Sequence, residues 1–159
     1  MTYFETLDKT KKKKIIEMFS EFGIEKLPYL LIKTGSEKIR GYSGSLSVEE
    51  INKLKREINI EAIGMKLFTI NGNEARINFD AVSMPEIKKQ VKNKEKIIEI
   101  NNEQLKAWFH GENIEINNEQ MKAKDGFVIL KHGEDFVGMG KKIKNLVLNY
   151  VPKERRVRN

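Results

Sequence analysis

Three short apolar segments close the chain, and they leave little freedom in how its C-terminal half can fold. Gly126-Phe127-Val128-Ile129-Leu130-Lys131, Phe136-Val137-Gly138-Met139-Gly140-Lys141 and Leu146-Val147-Leu148-Asn149-Tyr150-Val151 are strand-like in composition. The turns between them carry His132-Gly133-Glu134-Asp135 and Lys142-Ile143-Lys144-Asn145. A strand over 96–100, a helix over 103–110 and a short strand over 114–116 precede them. Asn101 or Asn102 caps that helix, and Gly111 ends it. Short strands at this spacing, with one helix inserted early, predict a small closed or nearly closed barrel.

The first half reads as mixed α and β. Ile15, Phe19 and Phe22 fall on one face of a helix over 8–22, and Lys11 to Lys14 circle its opposite side. Those lysines lie near the helix N-terminus, where the dipole disfavours them; a solvated face or a further use both fit. A hairpin pairs 29–33 with 38–42 across Thr34-Gly35-Ser36. Ser47-Val48-Glu49-Glu50 forms a capping box, with Leu46 and Ile51 placed as a hydrophobic staple, and opens a helix running to Ile58. Asn71-Gly72 turns a second hairpin, 64–70 with 75–79. Pro85 opens a turn of helix, and 91–96 has the composition of a linker. The doublet Asn101-Asn102-Glu103-Gln104 and Asn117-Asn118-Glu119-Gln120 is compatible with two helix starts, or with chance in a chain rich in lysine and asparagine.

Most familiar chemistries find no footing. The chain has no cysteine, which removes disulfides, thiolate metal sites and cysteine nucleophiles together. His110 and His132 are the only histidines, too few for a zinc cage. Gly138-x-Gly140-Lys141 lacks the length and the hydroxyl of a phosphate loop, and reads as a bulge or as close packing. Gly41-Tyr42-Ser43-Gly44 is one residue short of a nucleophile elbow. No catalytic residue, metal or cofactor is assigned. The first residues hold no apolar stretch of signal-peptide or membrane-span length, so the expectation is a cytoplasmic protein without membrane contact. Trp108 and Phe109 are neighbours on one helix, so one enters the core while the other packs or stacks on a base.

Charge points more positively. The net charge is +7. From Phe136 to Asn159 seven basic residues face one acid, Glu154, so this stretch carries nearly the whole excess. They are Lys141, Lys142, Lys144, Lys153, Arg155, Arg156 and Arg158. A concentrated positive field suits a polyanion, because cations that neutralise phosphates release condensed counterions; a solvated, frayed tail is the plain alternative.

From Gly126 onward the sequence resembles a PUA domain. Asp135-Phe136-Val137-Gly138-Met139-Gly140-Lys141 followed by Asn149-Tyr150-Val151-Pro152-Lys153 is similar to the PUA-like tail of Sun-type ribosomal RNA cytosine-5 methyltransferases. Ile63-Gly64-Met65-Lys66-Leu67-Phe68 and Ala107-Trp108-Phe109-His110-Gly111-Glu112-Asn113-Ile114 resemble the archaeal and eukaryotic large-subunit ribosome assembly factor built from a pre-PUA and a PUA domain. The resemblance implies an α+β protein, with a small α/β pre-PUA domain over 1–93 and a PUA pseudo-barrel over 94–159. It implies contact with structured RNA, ribosomal or transfer, in ribosome biogenesis or RNA modification. The seven late basic residues are the expected contacts. Methyltransferase activity does not transfer, since cytosine-5 chemistry uses a cysteine and a large cofactor-binding domain; a separate methyltransferase or assembly factor is the implied partner. The competing reading is a protein-interaction adaptor using apolar area around Tyr3, Phe4, Leu27 and Tyr29.

Overall fold

A computed structural model describes residues 3–159. The chain forms two compact units: one reaches Ser20 and resumes over Ile24–Arg76, and the other takes Glu21–Gly23 and Ile77–Asn159.

The first unit is built on a sheet of β1 (Phe4–Thr6), β2 (Leu30–Thr34), β3 (Lys38–Tyr42), β4 (Met65–Asn71) and β5 (Glu74–Ile77), in that spatial order. Alternation along the strands separates its two faces. Phe4 and Ile32 meet Ile51 of α2 (Val48–Glu57) on one of them. On the other, Phe68 stacks on Phe19, which follows α1 (Lys9–Glu17), with ring centroids 3.9 Å apart. The Ser47 box forms in full: its hydroxyl accepts from Glu50 N, and the Glu50 carboxylate accepts from Ser47 N. The first helix is shorter than its apolar spacing predicts. It ends at Glu17, whose carbonyl accepts the Ser20 hydroxyl at 2.8 Å, and a 3-10 turn over Ser20–Phe22 carries the chain on. Of the four residues around which apolar area is expected, Phe4 and Leu27 are buried, Tyr29 is half-buried and Tyr3 is 54% exposed.

The second unit is a sheet curled into a half-barrel. Its strands are β6 (Ile97–Glu99), β7 (Ile114–Glu115), β8 (Gly126–His132), β9 (Asp135–Ile143) and β10 (Leu146–Leu148), in the order β6-β8-β9-β10-β7. Only β6 and β8 pair in parallel; α4 (Asn102–Phe109), β7 and a 3-10 turn over Gln120–Lys122 supply the crossover that a parallel pair requires. Trp108 of α4 is fully buried at the centre of a core that includes Ile98, Val128, Leu130 and Val147. Its indole N–H donates to Val137 O at 2.7 Å. The ring lies against the two glycines of β9: a Cβ on Gly140 would stand 3.0 Å from Trp108 Cη2 and 2.5 Å from Val147 Cγ1. Close packing therefore accounts for Gly138-x-Gly140.

Residues 77–93 belong to this second compact unit. Phe79 meets the Phe109 ring edge-on at 6.4 Å, and Lys88, the last residue of α3 (Pro85–Lys88), sits over the Phe136 ring. The stretch read as a linker is also structured. The Asn93 carboxamide accepts from Glu95 N and donates to Glu21 O, starting a 3-10 turn over Lys94–Lys96. Lys96 is buried, with its ammonium 3.4 Å from the Glu21 carboxylate. A stretch so dense in lysine looks like a tether in sequence, because aliphatic stems that pack are invisible to composition.

Candidate nucleic-acid interface

The seven late cations do not share one environment. On a strand, neighbouring side chains point to opposite faces. Lys141 and Lys142 therefore part company on β9. Lys142 lies opposite Val147 and Gly126, on the core side, and only 4% of its side chain is exposed. Its ammonium donates to the Asp125 carboxylate at the rim of the barrel. Lys142 thus offers no charge to a ligand at the surface, and its inward direction is the reason.

Lys141 faces outward. It lies between Phe127 of β8 and Leu148 of β10, and its ammonium sits 5.7 Å from the centre of the Phe127 ring. Tyr150 is two residues beyond Leu148 and meets the same Phe127 ring edge-on at 5.3 Å. The outer row continues the other way to Ile143, which lies opposite Leu146 and is 46% exposed. A strip with the half-buried Tyr150, Leu148 and Leu146 and the exposed Ile143 therefore runs along β10, over a buried Phe127. Lys144 marks one end of it, in the turn, and Pro152-Lys153 lies beyond the other. Nine residues of chain place those ends at most about 30 Å apart.

The tail is not frayed. Val157 N donates to Phe109 O at 2.8 Å, and Arg156 Nε donates to Val151 O at 3.1 Å. The Arg156 side chain lies across Gly111, where a Cβ would come within 2.7 Å of it. Arg155 pairs with Asp80 at 2.9 Å, and Asn159 meets the His110 ring at 3.1 Å. Lys153 and Arg158 remain exposed. The backbone thus carries the tail across the C-terminal end of α4, and its four cations are gathered there. Lys144, at the far end of β10, stands apart from them.

Asn149 explains why an asparagine precedes the aromatic residue in this ending. Its carboxamide N–H groups donate to Trp108 O and Glu112 O, both at 2.8 Å, and its oxygen accepts from Val151 N. It closes the carbonyl end of α4 and is a structural residue. Asp125 was missed by sequence reasoning. It accepts Lys142's ammonium and the Lys144 N–H, which together hold its carboxyl below the usual aspartate range. The strand period at Lys141-Lys142 was the available signal that one of those lysines turns inward. Elsewhere His110 and His132 bond to Lys106 O and Asn102 Oδ1. Among the described residues no group of three or more His, Cys, Asp or Glu is placed to hold a metal, and no helix is long and apolar enough to cross a membrane.

This geometry meets an independent finding. Residues 95–157 match the family described as the methyltransferase RsmF PUA domain. The C-terminal unit carries a PUA domain. Its matched span takes in the buried Trp108, the Gly138-x-Gly140 strand, the outward row and most of the tail. PUA domains are RNA-binding domains, and the match suggests that this unit binds RNA. The compact unit that holds the match is longer than it, and also takes in residues 77–94 and Glu21–Gly23. No curated protein matches the chain.

Proposed function

We propose that this chain is a non-catalytic RNA-binding protein of ribosome biogenesis or of ribosomal or transfer RNA modification. It holds structured RNA through the PUA domain, by the outward row and the ordered tail. The observation that carries the reading is that tail: a cationic segment of a PUA domain, tied by Asn149 and Val157 to the end of α4 and by Arg156 to Val151 O. Cations already ordered in the free protein give up less entropy on meeting phosphates. Lys141 on the outward row supports contact with backbone, and the half-buried Tyr150 beside the buried Phe127 supports contact with an unpaired base. The absence of cysteine supports placing any cytosine-5 methyl transfer outside these 159 residues. The burial of Phe4 and Leu27 removes two of the four residues on which the adaptor reading leaned, leaving the exposed Tyr3 and the half-buried Tyr29.

The test is titration of the full chain with bulk transfer RNA and with poly(U) at several salt concentrations. Binding should weaken steeply with salt, by a slope of about −0.7 per phosphate neutralised on the single strand. Replacing Lys153 and Arg158 by Ala should flatten the slope with folding unchanged. Unchanged affinity in that variant removes the tail from the interface, and no binding by the parent chain ends the reading.

A further inference from the structure

We propose that the tip of the β9–β10 hairpin is a preformed phosphate contact, in which Lys144 binds and Asp125 and Lys142 act as positioning residues. The inference rests on the RNA-binding reading and names a contact within it. It starts from a backbone outlier. Lys144 has φ of 55°, and it is the only non-glycine residue with a positive φ among those described. Every other residue in that region is a glycine, including Gly35, Gly72 and Gly133 in the other hairpin turns. A lysine there is disfavoured by its own Cβ, and glycine would be the easier choice.

The turn is clamped from below. Both Asp125 oxygens accept the Lys144 N–H, at 3.2 and 3.3 Å. The same carboxylate takes the ammonium of Lys142, whose stem is buried in the barrel rim. One acid thus ties a buried cation to the backbone of the turn. The two charges beneath the tip cancel, which leaves the exposed Lys144 ammonium as the net charge there. Among the described residues no carboxylate is within ion-pair distance of it, and it stands beside Ile143 at the end of the outward row. Strained backbone persists where the surroundings enforce it, and functional contacts are where such strain concentrates. A side chain kept at a conformational cost, held by a dedicated clamp and directed to solvent fits a ligand that the backbone alone could not reach. The chemistry of that ligand is a phosphate oxygen of the RNA chain.

Stability and binding should therefore move in opposite directions at this position. K144G relieves the strain, and the thermal midpoint of the full chain should rise by about 2 °C or more. The same variant should bind poly(U) and transfer RNA severalfold more weakly, with the salt slope on poly(U) smaller by about 0.7. K144R keeps the charge and should keep the affinity. D125N supplies a readout that charge alone predicts the other way. It removes a negative charge, so simple electrostatics makes RNA binding tighter, whereas loss of positioning makes it weaker. If D125N does not fold, K144G and K144R decide the matter. Parent chain that binds RNA while K144G binds equally well overturns this inference and leaves the RNA-binding reading standing. Parent chain that binds neither RNA overturns both.

Discussion

Gln104 and Gln120 exchange a pair of hydrogen bonds through their side-chain amides, at 3.0 and 2.8 Å. Each also closes a capping box of its own. The Gln104 oxygen accepts from Asn101 N, and the Gln120 oxygen accepts from Asn117 N, both at 3.0 Å. Their remaining N–H groups donate to Glu115 O and Glu99 O. Both amides are therefore fully satisfied, and the echoed Asn-x-x-Gln segments are two helix starts clasped together. Truncating either to Ala strands the partner amide and two backbone groups, at about 1–3 kcal/mol. The double variant should cost less than the sum of the singles, because each single already breaks the shared pair. Urea unfolding of the four proteins measures this, and simple additivity would mean that the pairing contributes nothing.

Gly140 should tolerate no side chain at all. A methyl group there meets Val147 Cγ1 at 2.5 Å, Leu148 O at 2.9 Å and Trp108 Cη2 at 3.0 Å. The oxygen is main chain and Trp108 is fixed by its bond to Val137 O, so relief means moving β10 or the central ring. G140A should lose more than the usual 1–3 kcal/mol for overpacking, and near-ultraviolet circular dichroism should report a displaced Trp108. G35A is the matching control. Nothing lies within 4 Å of a Cβ at Gly35, so its cost comes only from the positive φ of 62°.

These cases show where the sequence was legible. Periodicity located the hairpins and the Ser47 helix start, because a period of two and a capping box are local signals. That one of Trp108 and Phe109 enters the core followed from their being neighbours on a helix; that it is Trp108 did not. Phe4–Thr6 was not seen as a strand, since three residues carry too little pattern and its partner β2 lies far along the chain. The candidate site was legible as charge and not as direction. Counting cations marked Lys141, Lys142 and Lys144 alike, although one faces outward, one is buried against Asp125 and one occupies a strained turn. Asp125 has no local mark, because its role depends on a turn some twenty residues later.

Asn149→Ala should loosen the end of α4 without touching any cation. The side chain gives both N–H groups to Trp108 O and Glu112 O and receives Val151 N; its loss takes these partners from Glu112 O and Val151 N, while Trp108 O keeps the Gly111 N–H at 3.0 Å. Carbonyls that reach water recover part of this, which brings the expected cost to about 1–3 kcal/mol. Hydrogen exchange should rise at the amides of α4's last turn and at Val157, which bonds to Phe109 O. If the tail's order contributes to binding, RNA affinity should fall with it even though no charge has been removed.

Acid should erase the clamp beneath the hairpin tip. Lys142's ammonium, and then the Lys144 N–H, lower the Asp125 pKa in the folded protein. A carboxyl depressed on folding contributes stability that is whole above its unfolded value and is lost as pH falls through the folded one. With an unfolded aspartate near pH 3.9, the contribution should hold from neutrality to about pH 5 and decline below about pH 4. D125N lacks it at every pH. The gap in thermal midpoint between parent and D125N should therefore be constant down to about pH 5 and should close as the solution is made more acidic. Protonation leaves Lys142 facing a neutral acid, much as the carboxamide does, so the two curves meet for a single reason. A gap that stays open at the acid end would place the effect of the substitution in packing and not in the charge of Asp125.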